Sequence, residues 1–178
     1  YIEGYYGRLL SFEERHQLLS TLHYLSMDSY LYAPKEDVFH RFDWRRPYPK
    51  DWCAKFASFC AVARSKHIRI LAGIAPGLDF AFYNNKDDKG KLRAKAEQLS
   101  GAGADGLVLM FDDISADLSV FERAGISEGQ AHAHLASWLQ AETGCPVFLV
   151  PRLYADEIEG DHSAYAADLN QHLAEDIA

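Results

Sequence analysis

The chain predicts an α/β fold of consecutive βα units, which leaves two architectures: an open doubly wound sheet or part of a (β/α)8 TIM barrel. Three observations carry this. Short apolar runs free of Gly and Pro, the clearest being Leu107-Val108-Leu109-Met110-Phe111, have the make-up of strands buried on both faces of a parallel sheet. Segments with apolar residues at helical spacing alternate with these runs. No two runs are joined by a hairpin signal, so each return passes through a helix.

In order, Tyr1 to Tyr6 reads as the first strand. Gly7 opens a loop that Ser11 closes as a helix N-cap, and Glu14 three residues on completes a capping box. Leu18, Leu19, Leu22 and Leu25 carry the helix to about Leu25. Ser29 to Ala33 is a second strand, stopped by Pro34. Lys35 to Pro49 is a long loop dense in charge, and its aromatics Phe39, Phe42, Trp44 and Tyr48 argue against disorder. Lys50 to Lys66 is a helix with Phe56, Phe59, Val62 and Ala63 as its apolar stripe. Ile68 to Ala75 is a third strand, ended by Pro76-Gly77, and Leu78 to Asn85 is a second aromatic loop. Asp88 to Gly101 is a helix whose lysines are expected on the outside. The fourth strand runs into Asp112 and Asp113. A loop from Ser115 to Gly125 then leads to a helix over Ile126 to Thr143, ended by Gly144. Val147 to Val150 is the fifth strand, stopped by Pro151, and a last helix covers Ala164 to Ile177.

With 178 residues, 48% of them hydrophobic and 25% charged, the chain is long enough for a sizeable core. No linker or break in composition divides it, so residues 1–178 are expected to be one domain. A net charge of −8 without a basic tract argues against nucleic acid and anionic membrane surfaces as partners. No apolar run approaches a membrane span. Nothing at the amino terminus resembles a signal peptide, which favours a cytoplasmic location, and Tyr1-Ile2-Glu3-Gly4 opens in mid-strand without an initiator Met, as a trimmed start would. Cys53, Cys60 and Cys145 are odd in number and lack C-x-x-C spacing, so all are expected to be reduced, buried thiols.

Active sites of α/β folds are built at the carboxyl ends of strands. Asp112 and Asp113 stand at such an end, but neighbours in a strand point to opposite faces, so they can share a site only if the chain leaves the strand there. Two carboxylates held together cannot both ionise freely, which predicts that one keeps its proton while the other stays charged. Taken alone the pair fits equally well as a helix N-cap with a second acid in the first turn, or as ligands for Mg²⁺ or Mn²⁺. Each other strand end also carries polar or aromatic residues: Gly4, Tyr5, Tyr6, Gly7 and Arg8; Lys35, Asp37, His40 and Arg41; Asp79, Phe80 and Tyr83; Arg152, Tyr154 and Asp156. Gly101-Ala102-Gly103-Ala104-Asp105-Gly106 has the G-x-G-x-x-G spacing but precedes a strand instead of following one, and Gly125-Ile126-Ser127-Glu128-Gly129 has the G-x-S-x-G spacing but leads from a loop into a helix without the strand that a nucleophile elbow needs. The eight His are scattered, with His132 and His134 on different faces of one helix, so no metal and no other cofactor is expected. Aromatic rings beside carboxylates and one Lys suit a carbohydrate, whose faces stack and whose hydroxyls take charged partners.

At this point the motifs become recognisable. Ile2-Glu3-Gly4-Tyr5-Tyr6-Gly7-Arg8, Tyr30-Leu31-Tyr32-Ala33-Pro34-Lys35-Glu36-Asp37 with His40-Arg41 and Trp44-Arg45, Ala75-Pro76-Gly77-Leu78-Asp79 and Phe111-Asp112-Asp113-Ile114 together resemble the O-GlcNAcase family, family 84 of the glycoside hydrolases, in a bacterial-type homologue. The resemblance runs over essentially the whole chain. It implies a TIM-barrel, retaining β-N-acetylglucosaminidase in which the substrate's 2-acetamido oxygen attacks C1 to give an oxazoline, an exception to the usual carboxylate nucleophile. It further implies that Asp112 orients the acetamide and Asp113 is the general acid and base. Lys35 and the Gly4 backbone would take sugar hydroxyls, and Tyr154 the acetamide. Within Pro151 to Asp156 only Pro151 and Tyr154 keep the eukaryotic pattern, so a core aromatic is the alternative for Tyr154, as a solvated loop charge is for Lys35. The implied partner is a β-GlcNAc-bearing glycoprotein or glycan. A full barrel needs about 250 residues, so this chain would hold an incomplete barrel of about five βα units. Two other readings stay open, a catalytically idle sugar-binding module and a Mg²⁺-dependent barrel enzyme.

Overall fold

The computed structural model describes residues 1–83, 86–114 and 117–177. Residues 84 and 85 at the end of one expected loop, 115 and 116 at the start of another, and 178 lie outside that set. Five strands, β1 (Ile2–Glu3), β2 (Ser29–Tyr32), β3 (Arg69–Ile74), β4 (Gly106–Met110) and β5 (Val147–Val150), form one sheet in sequence order, parallel throughout. Between and after them run α1 (Phe12–Tyr24), α2 (Lys50–Ser65), α3 (Lys86–Gly101), α4 (Ser119–Ala124), α5 (Glu128–Thr143) and α6 (His162–His172).

Alternation along the strands decides between the two architectures. Tyr30 and Tyr32, Ile70, Ala72 and Ile74, Leu107 and Leu109, and Val147 face one way and pack with Leu19 and Leu22 of α1, Phe56 and Phe59 of α2, Leu92 and Leu99 of α3 and Leu135 and Leu139 of α5. The residues between them, Leu31, Ala33, Ala75, Val108 and Met110, with Leu71, Phe148 and Val150, form a second cluster built without any helix. Among the described residues, helices therefore cover one face only. A doubly wound sheet needs helices on both faces, so the sheet is the wall of a barrel and its second cluster is the lining.

Several element ends differ from the expected ones, each for a local reason. The first strand shrinks to Ile2–Glu3 because Gly4 leaves regular pairing and Gly7 takes a φ of +124°. The rim is still tied to the next loop through Ala33 N to Glu3 O and Lys35 N to Tyr5 O, at 3.1 and 3.3 Å. The capping box forms as read, with Glu14 N on Ser11 Oγ at 3.2 Å and Ser11 N on Glu14 Oε2 at 2.7 Å. α5 begins after Ser127, whose Oγ accepts from Gln130 N, and ends at Gly144 with a φ of +65°. α4 falls inside the expected Ser115 to Gly125 loop; six residues are too few for a periodic signal. α6 starts at His162, capped by Asp161, and stops at His172 because Leu173 is extended. The cysteine sulfurs are unpaired, but only Cys60 is buried and the other two are half-buried.

The loop between β2 and α2 is ordered, and the reason is a lysine expected on the surface. Lys95 of α3 is buried and donates to the carbonyls of Phe39 and Arg46, with its ammonium 4.2 Å from the centre of the Tyr48 ring. Burial pushes its pKa down to about 8. Trp44 is fully buried, its Nε1 on Asp79 at 2.8 Å, and Arg45 bridges Asp79 and Asp88.

β1 is held by a buried ion pair. Glu3 accepts from Arg15 of α1 through both carboxylate oxygens, at 2.7 and 2.9 Å, and from the Tyr30 hydroxyl at 2.5 Å. Removing one partner of such a pair strands a charge away from water, at a cost of about 3–5 kcal/mol. Arg15→Ala is expected to lower stability by that amount in urea unfolding of the full-length protein. The double change Glu3→Gln with Arg15→Met should recover much of it, and equal losses would show that the charge itself is not what matters.

Candidate active site

β4 ends at Met110, and Phe111 N still bonds Val150 O at 2.9 Å. The chain then turns, and Asp113 adopts a left-handed backbone with a φ of +57°. This is the departure from the strand that lets both carboxylates serve one rim. A non-glycine residue in that region pays about 1–2 kcal/mol, least for Asp and Asn. Arg41 lies against this turn, donating from Nη2 to Asp113 O at 2.8 Å.

Lys35, at the end of β2, is 3% exposed and places its ammonium between the two carboxylates. It bonds Asp112 Oδ2 closely and lies 3.4 Å from Asp113 Oδ2. It is thus not a solvated loop charge. Asp113 also accepts from the Tyr6 hydroxyl on Oδ2 at 3.0 Å and from the Tyr154 hydroxyl on Oδ1 at 3.2 Å. Tyr154 is exposed rather than a core aromatic. Asp112 sits deeper, with 13% of its side chain accessible against 32% for Asp113. Its Oδ1 is buried and has no hydrogen-bond partner among the described residues.

The expected shared proton is not found at Asp113. Burial pushes its pKa up, but the Tyr6 hydroxyl, the Lys35 charge and the Tyr154 hydroxyl together outweigh burial and hold it below the usual carboxylate range. The Lys35 cation beside it favours the charged form of this carboxyl. Among the described residues no group of three or more His, Cys, Asp or Glu is arranged to hold a metal.

The structure therefore brings Lys35, Asp112, Asp113 and Tyr154 together. Gly4 lies on the same rim, one residue beyond Glu3 of β1, where an added Cβ would meet Ile2 Cγ2 at 2.9 Å. Other polar residues of the strand ends have different work. Arg8 grips Glu14 at the surface, Asp37 accepts the buried hydroxyls of Tyr32 and Tyr48, and Arg152 pairs with Glu128. Tyr6 and Arg41 were on the expected rim without a role; their hydrogen bonds to Asp113 cross 107 and 72 residues of chain, a separation that no local pattern encodes.

His40 enters the barrel lining from the same loop as Lys35. Its Nδ1–H donates to Gly73 O at 2.9 Å, its carbonyl accepts from Ala75 N at 3.0 Å, and its ring fills the space where a Cβ on Gly73 would stand 3.0 Å away. On the opposite face His132 of α5 stacks on Phe111 with ring centres 3.7 Å apart and planes at 4°, its Nδ1 2.7 Å from the Tyr165 hydroxyl.

A wall of parallel strands with an acidic pair after its fourth strand and a buried lysine after its second suits one class, the barrel-type glycoside hydrolases. The beta-N-acetylglucosaminidase family (NAGidase) matches residues 1–178, and the chain belongs to it. It is 34% identical over 135 residues to the protein O-GlcNAcases of Rattus norvegicus and Mus musculus, a match that covers 76% of this chain and 14% of each relative. The chain thus spans a small part of the curated relatives it matches. A mutant of the O-GlcNAc hydrolase of Thermobaculum terrenum has the same fold, with a TM-score of 0.90 at 23% identity over 99% of this chain and 39% of that one.

The two buried histidines carry a pH prediction. Burial, the largest influence on each, pushes His40 down to about 4 and His132 down to about 3. Unfolded chain takes up those protons near the ordinary value of 6.5, while the folded state refuses them until the lower values are reached. Stability is therefore full above about pH 6.5 and falls with pH through about 4 for His40 and about 3 for His132. Thermal melts between pH 7 and pH 3 should show a shallower acid decline in His132→Phe than in the wild type, and parallel declines would count against this account.

Proposed function

We propose that this rim is the catalytic centre of a retaining β-N-acetylglucosaminidase that removes terminal β-linked GlcNAc, with residues 1–178 as part of its catalytic domain. The observation that carries the reading is the difference between the two carboxylates. Asp112 keeps a buried, unpartnered Oδ1, which costs about 1–3 kcal/mol unless a donor arrives. An acetamide N–H is such a donor. Asp113 is more open, which suits a group that has to meet a leaving oxygen.

In the first step the 2-acetamido oxygen bonds to C1 while the C1–O bond to the aglycone breaks, and that oxygen takes a proton from Asp113. Asp112 holds the acetamide N–H and offsets the positive charge that develops on the oxazoline ring. In the second step water adds to C1 as Asp113 takes its proton, and the ring opens to the β-configured product. The donors around Asp113 hold its pKa below the usual carboxylate range, so they oppose the protonated form that the acid step uses. Lys35 and the Gly4 backbone hold sugar hydroxyls, and Tyr154 reaches the acetamide. The carriers of the sugar would be glycoproteins or glycans. The O-GlcNAcase names of the relatives support protein-borne GlcNAc as the first to try.

Release of 4-nitrophenol from the β-GlcNAc glycoside by the full-length protein tests the activity, and its persistence in EDTA separates this reading from a Mg²⁺-dependent enzyme. No release at all would leave an idle sugar-binding module. Asp113→Asn should lose most activity on substrates with poor leaving groups, since only these need the proton. Equal loss on an activated aryl glycoside would contradict the acid role. Fluorination of the acetamide should slow the wild type steeply and shrink the penalty of Asp112→Ala, whereas a glycosyl adduct on Asp112 in mass spectra would end the substrate-assisted reading.

Lys35→Ala is expected to lower kcat/KM by the worth of a charged hydrogen bond, roughly 1.5–3 kcal/mol or about 10–150-fold. An unchanged kcat/KM would remove Lys35 from the site.

A further inference from the structure

We propose that Arg41 is a positioning residue for Asp113, acting at two points: it fixes the hydroxyl of Tyr6 on the carboxylate and it grips the carbonyl of the left-handed turn. Arg41 is 6% exposed, yet the hydrogen bonds of its guanidinium go to a hydroxyl and a carbonyl instead of a carboxylate. Nη1 donates to Tyr6 Oη at 2.8 Å and Nη2 to Asp113 O at 2.8 Å. A guanidinium has no acceptor, so the Tyr6 hydroxyl must accept from it. Its single hydrogen is then left for Asp113 Oδ2, 3.0 Å away. Without Arg41 the hydroxyl of a tyrosine that is 59% exposed is free to turn to water.

Arg41 is anchored from both sides. The preceding residue, His40, is bonded through its ring to Gly73 of β3 and through its carbonyl to Ala75 just after that strand, and the Arg41 guanidinium lies 5.5 Å from the Phe42 ring centre and 5.9 Å from that of Tyr6. Two nitrogens of one planar group therefore set the backbone of Asp113 and the orientation of its partner together. A lysine carries one ammonium and cannot hold both points in that geometry.

The groups facing the Asp113 carboxylate are Tyr6 after β1, Lys35 after β2, its neighbour Asp112 and Tyr154 after β5, with Arg41 behind Tyr6 and on the Asp113 carbonyl. Lys35, Tyr6 and Tyr154 favour the ionised form, and Asp112 as a like charge opposes it. Taking away the oriented hydroxyl makes the proton easier to hold. The inference rests on the reading of Asp113 as general acid.

The experiment is the pH profile of kcat/KM on a β-GlcNAc glycoside with a poor leaving group, measured on the full-length protein. Its basic limb reports the loss of the acid's proton from the free enzyme. Tyr6→Phe, which removes one exposed hydroxyl and leaves the fold intact, should move that limb up by about half to one pH unit. Arg41→Ala should move it as far and lower kcat as well. Arg41→Lys should recover only part of kcat, and Arg41→Ala with Tyr6→Phe should shift the limb no further than Arg41→Ala alone. A limb unmoved in Tyr6→Phe, or shifts that add in the double variant, would overturn the inference. Asp113→Asn separates the two levels: if the limb vanishes there yet stays in place in Tyr6→Phe, only the inference fails. A limb that survives in Asp113→Asn removes the acid assignment and the inference with it.

Discussion

Two carboxylates one peptide bond apart repel each other, and much of the rim follows from how that repulsion is relieved. The Lys35 ammonium lies between them, buried to 3% exposure, and a cation so placed has no solvent to fall back on. It needs both acids, and they need it. This mutual dependence requires the segments after β2 and β4 to reach the same rim although β3 lies between them, and the parallel register, with Tyr32 beside Ala72 and Ala72 beside Leu107, sets their relative heights. It also requires the turn at Asp113, because a continued strand would send the second carboxylate to the helix-covered face.

The two acids differ in surroundings more than in chemistry. Asp112 has one oxygen on the lysine and one buried and unmatched, whereas Asp113 has donors on both oxygens and a larger share of solvent. Donors to the ionised form stabilise the charge, and they hold the Asp113 carboxyl below the ordinary range. The same acid has the wider access to an incoming group.

Long loops hold these groups in place, and a buried cation orders the longest of them. Lys95 satisfies two main-chain carbonyls of the loop between β2 and α2, and Trp44, Arg45 and Tyr48 pin its far side to α3 and to the loop after β3. Backbone carbonyls without a helix or sheet partner must be matched somewhere, and here a lysine side chain does it. From this platform His40 reaches into the barrel lining while Arg41 and Lys35 reach the acids, so one ordered segment supplies both cations that touch the pair.

By itself the sequence determined the succession of elements, because hydrophobic periodicity, the Ser11 and Glu14 cap and the Gly144 stop act within a few residues of chain. It also marked the strand-end acids and Lys35, since an apolar run ending in charge is visible without a fold. Element boundaries were legible less well. The early end of β1 follows from the path of the chain at Gly4 and Gly7, and beyond the stop of α6 Ala174 N meets Ser137 Oγ on α5, at 3.0 Å. Only the tertiary structure decided that helices cover one face, that Lys95 points inward, and that Tyr6 and Arg41 converge on Asp113. The reason is physical: which donor meets which acceptor across tens of residues is set by the curvature of the sheet and the path of its loops, whereas periodicity and capping are properties of neighbours along the chain.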